Sequence, residues 1–346
     1  MSKLGLGIYV NAPELVDDVL ACHSDSVLLV EDALHLAGSI RARLPGIEIH
    51  GRKWLSADDQ VGRINSASRQ QITRDWINQA MDQYPDVDNW QLYNEVVESG
   101  NTLLLERQVD AEIAGAAACA DRGKGAIVIN QAPGNNPTLE PGDTQRWWWD
   151  EWLAAMELIL TARGVRYLGI HCYSSEKARL AEPSCLWYSL RYRYLLRDLA
   201  AQGVQCPPLC ITEYGHAGGW RDWLSEDDCK RDLTWYGAQL EMDAGERLRS
   251  AHLFADGDSG GWGNYDVRGT SIPRAMGDWN RSIGGIPVTL HMWTLGFATY
   301  ATAHPGVGMP IEGLQYDDQG NAWQHSDKGL LFWHKAANKT YFFPKS

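Results

Sequence analysis

Two glutamate residues each end an apolar segment of the sequence. Glu95 closes the run Trp90-Gln-Leu-Tyr-Asn-Glu, and Glu213 closes the run Leu209-Cys-Ile-Thr-Glu. A carboxyl group at the end of an apolar strand is partly desolvated, which raises its pKa and suits it to general acid catalysis. Cleavage of an acetal needs two such groups, because a protonated one donates to the leaving oxygen while an ionised one attacks the anomeric carbon. The two glutamates are therefore the first candidates for catalysis.

Eight short apolar runs alternate with segments of helical periodicity, and these elements would have to position the glutamates. The predicted strands cover 4–10, 26–30, 47–54, 89–96, 125–131, 167–173, 209–214 and 251–255. Helical patterns cover 13–21, 69–83, 103–121, 147–163, 186–202, 227–244 and 273–283. Such alternation over about 260 residues favours a closed parallel (β/α)8 TIM barrel. A doubly wound open sheet is the competing architecture, but no glycine-rich phosphate loop follows the first predicted strand.

The functional face of such a barrel lies at the carboxyl ends of its strands. Glu95 and Glu213 end the fourth and seventh predicted strands, so we expect them to face each other across the barrel mouth. Polar and aromatic side chains at these and other strand ends are further candidates for binding substrate. They are Arg52, Trp54, Asn94, Gln131, His171, Tyr173, Asp256 and Trp262.

Three of these strand ends together resemble a known pattern. Asn94-Glu95, His171-Cys-Tyr173 and Glu213 are similar to the signature of the clan A glycoside hydrolases, the retaining (β/α)8 enzymes that include many cellulases, mannanases and xylanases. The resemblance covers residues 1 to about 285. It implies that Glu95 is the acid/base and Glu213 the nucleophile. It also implies that Asn94 binds the sugar 2-hydroxyl and that Tyr173 donates a hydrogen bond to the nucleophile.

The sequence departs from the clan pattern at two strand ends. Clan members usually carry an arginine near strand 2, where this chain reads Val30-Glu-Asp, and a tryptophan at the end of strand 8, where it reads Phe254-Ala-Asp. The nearest tryptophan is Trp262, in the following loop. We expect Arg52 or Asp256 to take over part of the missing contacts.

The environments of the two glutamates are expected to differ. A hydrogen bond from Tyr173 would keep Glu213 ionised. A more apolar setting would keep Glu95 protonated until it donates its proton, after which it would act as a base toward water.

Composition limits the partners. The 346 residues include 16 Trp against 5 Phe. The formal net charge of −13 disfavours nucleic acid as a binding partner, because its phosphates are also negative. No apolar run is long enough to span a membrane, and no signal peptide is apparent, so we expect a cytoplasmic protein as encoded, with release by lysis or removal of a leader as the alternative. The seven cysteines are scattered, as reduced thiols are. No motif predicts a metal or a cofactor.

A change of pattern divides the chain. Residues 1–285 are predicted to form the catalytic barrel, and residues 286–346, rich in Gly, Trp and His, to form a small β-rich appendage. The predicted function is a retaining glycoside hydrolase that cleaves a β-linked oligo- or polysaccharide. The alternatives are a peptidoglycan-cleaving lysin and a catalytically silent carbohydrate-binding or phage-structural barrel protein. The sequence makes no prediction of oligomeric state.

Overall fold

The computed structural model describes most of the chain. The described residues are 3–244, 247–258, 260–284, 297, 300, 304, 307, 315–316, 321–326, 328–337 and 339–345. The chain divides into two compact units, residues 1–284 and residues 285–346. All seven cysteines are free thiols.

Eight parallel strands close into a barrel in the first unit, in the order β1 to β8, with β8 paired to β1. The predicted TIM barrel is thereby confirmed, and the open sheet is excluded. The strands are β1 (Leu4–Ile8), β2 (Ser26–Val30), β3 (Glu48–Arg52), β4 (Asn89–Gln91), β5 (Gly125–Gln131), β6 (Val165–Tyr173), β7 (Leu209–Gly215) and β8 (Leu248–Asp256).

The helices follow the strands as the periodicity predicted, with one break. They are α1 (Leu15–Cys22), α2 (Ala37–Arg43), α3 (Ala57–Asn65), α4 (Arg69–Gln83), α5 (Thr102–Asp121), α6 (Trp149–Ile159), α7 (Leu186–Ser189), α8 (Arg191–Ala201), α9 (Glu226–Ala244) and α10 (Ile272–Gly284). The predicted helix 186–202 is divided between α7 and α8 at Leu190, where φ is −110° and ψ is 25°. Side-chain caps fix two helix starts beside the barrel mouth, because Ser56 accepts a hydrogen bond from the Asp59 amide and Asn101 from the Leu104 amide.

Most of the described tryptophans pack in the core between the barrel and its helices. Trp90 on β4, and Trp148, Trp149 and Trp152 at the start of α6, are all buried. The core fills the space between sheet and helices with close-packed apolar side chains, which gives the strand ends a rigid base. Trp54, Trp147 and Trp262 are the large exposed tryptophans among the described residues.

The strand that carries Glu95 is shorter than predicted. The ladder of β4 ends at Gln91, whereas the apolar pattern predicted a strand to residue 96. After Gln91 the backbone is held by a side chain, because Gln60 of α3 accepts from the Asn94 amide at 2.7 Å and donates to the Asn94 carbonyl at 3.2 Å. Glu95 then adopts a left-handed φ of 52°. This turn aims Glu95 at the barrel mouth.

The second unit contains a four-stranded antiparallel sheet, in agreement with the predicted β-rich appendage. Its strands are β9 (Gln315–Tyr316), β10 (Ala322–His325), β11 (Gly329–His334) and β12 (Lys339–Pro344), in the order β12-β11-β10-β9. In neither unit does a described helix combine the length and apolar character that crossing a membrane requires.

Candidate active site

Glu213 lies near the end of β7, and three side chains from other strand ends bond to its carboxylate. The Tyr173 hydroxyl donates to Oε2 at 2.6 Å, the Tyr9 hydroxyl donates to Oε1 at 3.4 Å, and Arg52 Nη1 donates to Oε1. Only 8% of the Glu213 side chain is exposed. The four residues come from β7, β6, β3 and the end of β1, so closure of the barrel is what brings them together.

These contacts keep Glu213 ionised. Burial alone would raise its pKa, but the His171 ring, the Arg52 guanidinium and the Tyr173 hydroxyl outweigh burial, and the pKa of Glu213 is lowered. The pKa of Tyr173 moves the opposite way, because burial and the Glu213 charge both disfavour its phenolate. Tyr173 therefore remains a donor, and Glu213 is an anion fixed in one orientation.

Glu95 has a different environment. Its side chain is 40% exposed, and its Oε1 lies 2.7 Å from His171 Nδ1. Its backbone amide donates to the carbonyl of Asn130 at 3.0 Å. The expectation of a more apolar setting for Glu95 was wrong, because the turn after β4 carries the carboxyl group out to the open mouth of the barrel and against an imidazole.

His171 links the two carboxylates. Its Nδ1 lies 2.7 Å from Glu95 Oε1 and 3.5 Å from Glu213 Oε2, so these two oxygens cannot be further apart than both distances together, about 6.2 Å. Burial lowers the pKa of His171, but the charges of Glu213 and Glu95 more than offset burial, and the pKa is raised. A proton can therefore be held on this ring between the two glutamates.

Asn94 presents an amide to the same space. Its Oδ1 accepts from Arg52 Nη1 at 2.9 Å and from Gln91 Nε2 at 2.7 Å. With the carbonyl oxygen engaged in this way, Nδ2 is the end of the side chain left to donate, and it has no partner among the described residues. The group is thus set to bond a hydroxyl of a ligand beside Glu213.

A cavity of about 230 Å³ opens next to Asn94 and Glu95. Arg52 and Trp54 also line this cavity, and 52% of Trp54 is exposed. The Arg52 guanidinium carbon lies 5.8 Å from the centre of the Trp54 ring, which holds the indole beside the cavity. The structure therefore brings Arg52 and Trp54 together with Glu95 around one cavity, and their contact with substrate stays a prediction.

Aromatic rings form the wall beside β8. Phe254 contacts Tyr9 with ring centres 4.8 Å apart, and Trp262 packs edge-on against Phe254 at 5.3 Å. The carboxylate of Asp258 accepts from the amides of Gly260, Gly261 and Trp262, which folds the loop that carries the indole. Trp262 is exposed and joins this wall through Phe254, and its contact with substrate stays a prediction.

Two predicted substrate contacts are corrected by the structure. Gln131 is fully buried, and its Oε1 accepts from Trp152 Nε1 at 2.8 Å, so it bonds to α6 and not to a ligand. Asp256 at the end of β8 is also fully buried. Burial raises its pKa, and the charges of Asp18 and Asp266 raise that pKa further. A carboxyl group buried in this way is closed off from a ligand, so it cannot replace the missing clan contacts.

The structure adds residues that the sequence analysis did not single out. Tyr9 and Phe254 line the site, and Gln60 and Gln91 fix Asn94. Tyr9 and Phe254 lie at strand ends, so the rule that selected the glutamates would have found them. Gln60 lies on a helix and is recognisable only from the fold.

No group of three or more His, Cys, Asp or Glu side chains is placed to hold a metal ion within the described part of the chain.

The sequence matches no protein-family model and no curated protein. Solved structures with the same fold do match. An endo-β-1,4-glucanase from Xanthomonas axonopodis pv. citri aligns with a TM-score of 0.52 at 12% identity, over 82% of this chain and 99% of that one. A GH5_18 protein from Streptomyces cattleya, in complex with Manβ1-4GlcNAc, aligns with a TM-score of 0.53 at 12% identity, over 82% and 81% of the two chains.

A GH5-4 broad-specificity endoglucanase from an uncultured bacterium is a further match, with a TM-score of 0.51 at 12% identity over 80% of this chain and 85% of that one. At such low identity the likeness concerns the fold. The shared fold is the (β/α)8 barrel, which the resemblance of Asn94-Glu95, His171-Cys-Tyr173 and Glu213 to the clan A pattern implied.

Proposed function

We propose that this chain is a retaining glycoside hydrolase that cleaves a β-linked glycan. The observation that carries the proposal is the contact of both glutamates with one nitrogen, His171 Nδ1, at 2.7 and 3.5 Å. One of these carboxylates is buried and stabilised as an anion, and the other is exposed at the mouth. Two carboxyl groups with such different environments match the two roles that glycoside cleavage requires.

In the first step Glu213 attacks the anomeric carbon and Glu95 gives a proton to the departing oxygen. The C–O bond to the leaving group breaks as the bond from Glu213 forms, so the sugar becomes esterified to Glu213. His171 Nδ1 lies 2.7 Å from Glu95 Oε1, close enough to exchange with Glu95 the proton that is delivered. The partly exposed side of Glu95 is the side from which a leaving group can depart and water can enter.

In the second step water attacks the same carbon. Glu95, now ionised, takes a proton from the water, and the ester bond to Glu213 breaks. The anionic carboxylate that results is the state that Arg52 and Tyr173 stabilise. Glu213 is therefore a good nucleophile in the first step and a good leaving group in the second.

The separation of the two carboxyl groups supports retention of configuration. Retaining enzymes place them about 5–5.5 Å apart, whereas inverting enzymes leave about 6.5–9.5 Å for a water molecule. The two oxygens that face His171 Nδ1, Glu95 Oε1 and Glu213 Oε2, are at most about 6.2 Å apart, which favours the shorter, retaining separation.

The substrate class follows from the groups around the cavity. Trp54 offers a flat apolar face on which a sugar ring can stack, and Asn94 Nδ2 is placed to bond a hydroxyl beside the nucleophile. The matched structures include an endo-β-1,4-glucanase and a protein in complex with Manβ1-4GlcNAc, which supports a β-1,4-linked glycan as the substrate.

A panel of glycans tests the proposal. Purified protein is incubated with β-glucans, β-mannans, xylans and bacterial cell walls, and the reducing ends released are compared with those from Glu95→Gln and Glu213→Gln. We expect activity on a β-linked polysaccharide, loss of it in both variants, and a β-anomer as the first product detected by NMR. Release from cell walls alone would favour the lysin, and binding without any release would favour the silent carbohydrate-binding protein.

A further inference from the structure

Glu112 is a fully buried carboxyl group on α5, outside the contacts described so far. Its Oε2 accepts from the backbone amide of Ile129 at 2.9 Å, and its Oε1 accepts from Gln108 Nε2 at 3.0 Å. Gln108 also donates to the carbonyl of Ile129 at 3.3 Å. Two side chains of α5, four residues apart, therefore form hydrogen bonds with both the amide and the carbonyl of Ile129 on β5.

Ile129 begins a bulge in β5. Ile129 has a φ of 76° and Asn130 a φ of 43°, and the pairing with β6 skips between Val128 and Gln131. A β-branched residue in the left-handed region is rare, because its side chain crowds its own backbone. Such a conformation persists only where the surroundings impose it. Within the described residues, the side chains that bond to the Ile129 backbone are those of Glu112 and Gln108.

The bulge in turn contacts both strand ends that carry the glutamates. The carbonyl of Asn130 accepts from the Glu95 amide at 3.0 Å, and Asn130 Oδ1 accepts from the hydroxyl of Thr212 at 3.1 Å. Thr212 directly precedes Glu213. Gly169 on β6 leaves the space for this side chain, since a β-carbon there would lie 1.9 Å from Asn130 Oδ1. Asn130 is fully buried, so it bonds to the protein and not to a ligand.

We propose that Glu112, together with Gln108, is a positioning residue of the candidate site, which holds the bulge of Ile129 and Asn130 and thereby fixes the backbone from which Glu95 delivers its proton. The inference rests on the proposed function of Glu95 as the acid/base. Burial raises the pKa of Glu112 to about 8, so its side chain carries a proton at pH 7, and glutamine keeps an oxygen that can accept from the Ile129 amide.

The test compares Glu112→Leu with Glu112→Gln on aryl glycosides that differ only in the leaving group. A dinitrophenolate departs without a proton, whereas a nitrophenolate or a sugar needs one. A poorly positioned Glu95 therefore slows cleavage most for the substrates with poor leaving groups. We expect kcat/KM of Glu112→Leu to fall at least about tenfold more on the poor leaving group than on dinitrophenolate, with KM little changed. Glu112→Gln should retain activity on both.

Val109→Ala is the matched control, because Val109 is buried on the same helix and forms no bond to the bulge. It should affect both substrates equally. Gln108→Leu removes the bond to the Ile129 carbonyl and should reproduce the leaving-group dependence if Glu112→Leu does not fold. Equal losses on both substrates in the folded variants, or no loss at all, would overturn the inference.

Glu95→Gln, measured on the same substrates, separates this inference from the proposed function. If Glu95→Gln shows no leaving-group dependence, Glu95 is not the acid and the proposed function fails. If it shows the dependence and the folded variants of Glu112 and Gln108 do not, only the positioning role fails.

Discussion

The hydroxyl of Tyr173 donates to Oε2 of Glu213 over 2.6 Å, between the ends of two adjacent barrel strands. The bond joins a phenol that burial keeps protonated to a carboxylate whose pKa is lowered by His171, Arg52 and the phenol itself, against the effect of burial. An anion stabilised in this way reacts in one orientation. The bond from Tyr173 therefore supports Glu213 as the nucleophile in the proposed mechanism.

Replacing Tyr173 by phenylalanine should move the acidic limb of the pH profile. The hydroxyl favours the ionised form of Glu213, so Tyr173→Phe raises the pKa of Glu213, and kcat/KM begins to fall at a higher pH as the solution is acidified. One hydrogen bond to a charged group corresponds to a shift of roughly one pH unit. The profile of kcat/KM measures it, and an acidic limb identical to that of the unaltered protein would contradict the assignment.

Arg52 should not be replaceable by lysine. A single nitrogen, Nη1, donates to both Glu213 and Asn94, and the planar guanidinium also lies near the Trp54 ring. A lysine keeps the charge but not this geometry. We expect Arg52→Lys to lower kcat/KM roughly 10- to 100-fold, the factor for one charge-assisted hydrogen bond of about 1.5–3 kcal/mol, and Arg52→Met to lower it further. Equal activity of the lysine variant and the unaltered protein would show that charge alone matters.

Trp54 should contribute to binding and not to the chemical step. Because Trp54 lines the cavity beside Glu95 and is about half exposed, Trp54→Ala should raise KM roughly three- to tenfold, the factor for an aromatic contact of about 0.5–1.5 kcal/mol, with kcat nearly unchanged. Leu158→Ala removes another exposed apolar side chain, on α6, and serves as the control. A fall in kcat at constant KM would argue against a stacking role.

The buried acid of Glu112 should make stability depend on pH. The unfolded chain releases this proton near pH 4.5 and the folded chain near pH 8, so the folded state binds more protons between these values. The free energy of unfolding should therefore fall as the pH rises from about 4.5 to about 8. Glu112→Gln lacks this contribution. The free energy of unfolding in urea of Glu112→Gln, relative to that of the unaltered protein, should therefore increase between pH 5 and pH 8. A constant difference across this window would show that Glu112 is not buried as an acid.

The barrel and its two glutamates follow from the sequence because both depend on local patterns. The apolar runs predict the strands to within a few residues, and Glu95 and Glu213 are recognisable from their places at strand ends. Glu95 lies four residues beyond the end of β4, and this did not matter, since a turn fixed by Gln60 brings it to the mouth.

The sequence analysis wrongly predicted that Gln131 and Asp256 contact substrate, because their strands are irregular near the end. The extra residue in the β5 bulge reverses the alternation of faces, so Gln131 points to α6. The pairing of β1 with β8 also shifts, from Leu6 opposite Leu253 to Ile8 opposite Asp256. A bulge held by Glu112, seventeen residues away along the chain, leaves no signal in the local pattern.

The most direct test of the account is the activity of Glu213→Ala with and without azide. If Glu213 is the nucleophile, the variant should lose at least about ten-thousandfold in kcat on an aryl β-glycoside. Azide should restore turnover by entering the space of the missing carboxylate, and it should give a glycosyl azide of inverted, α configuration. Unchanged turnover in Glu213→Ala without azide would contradict the account.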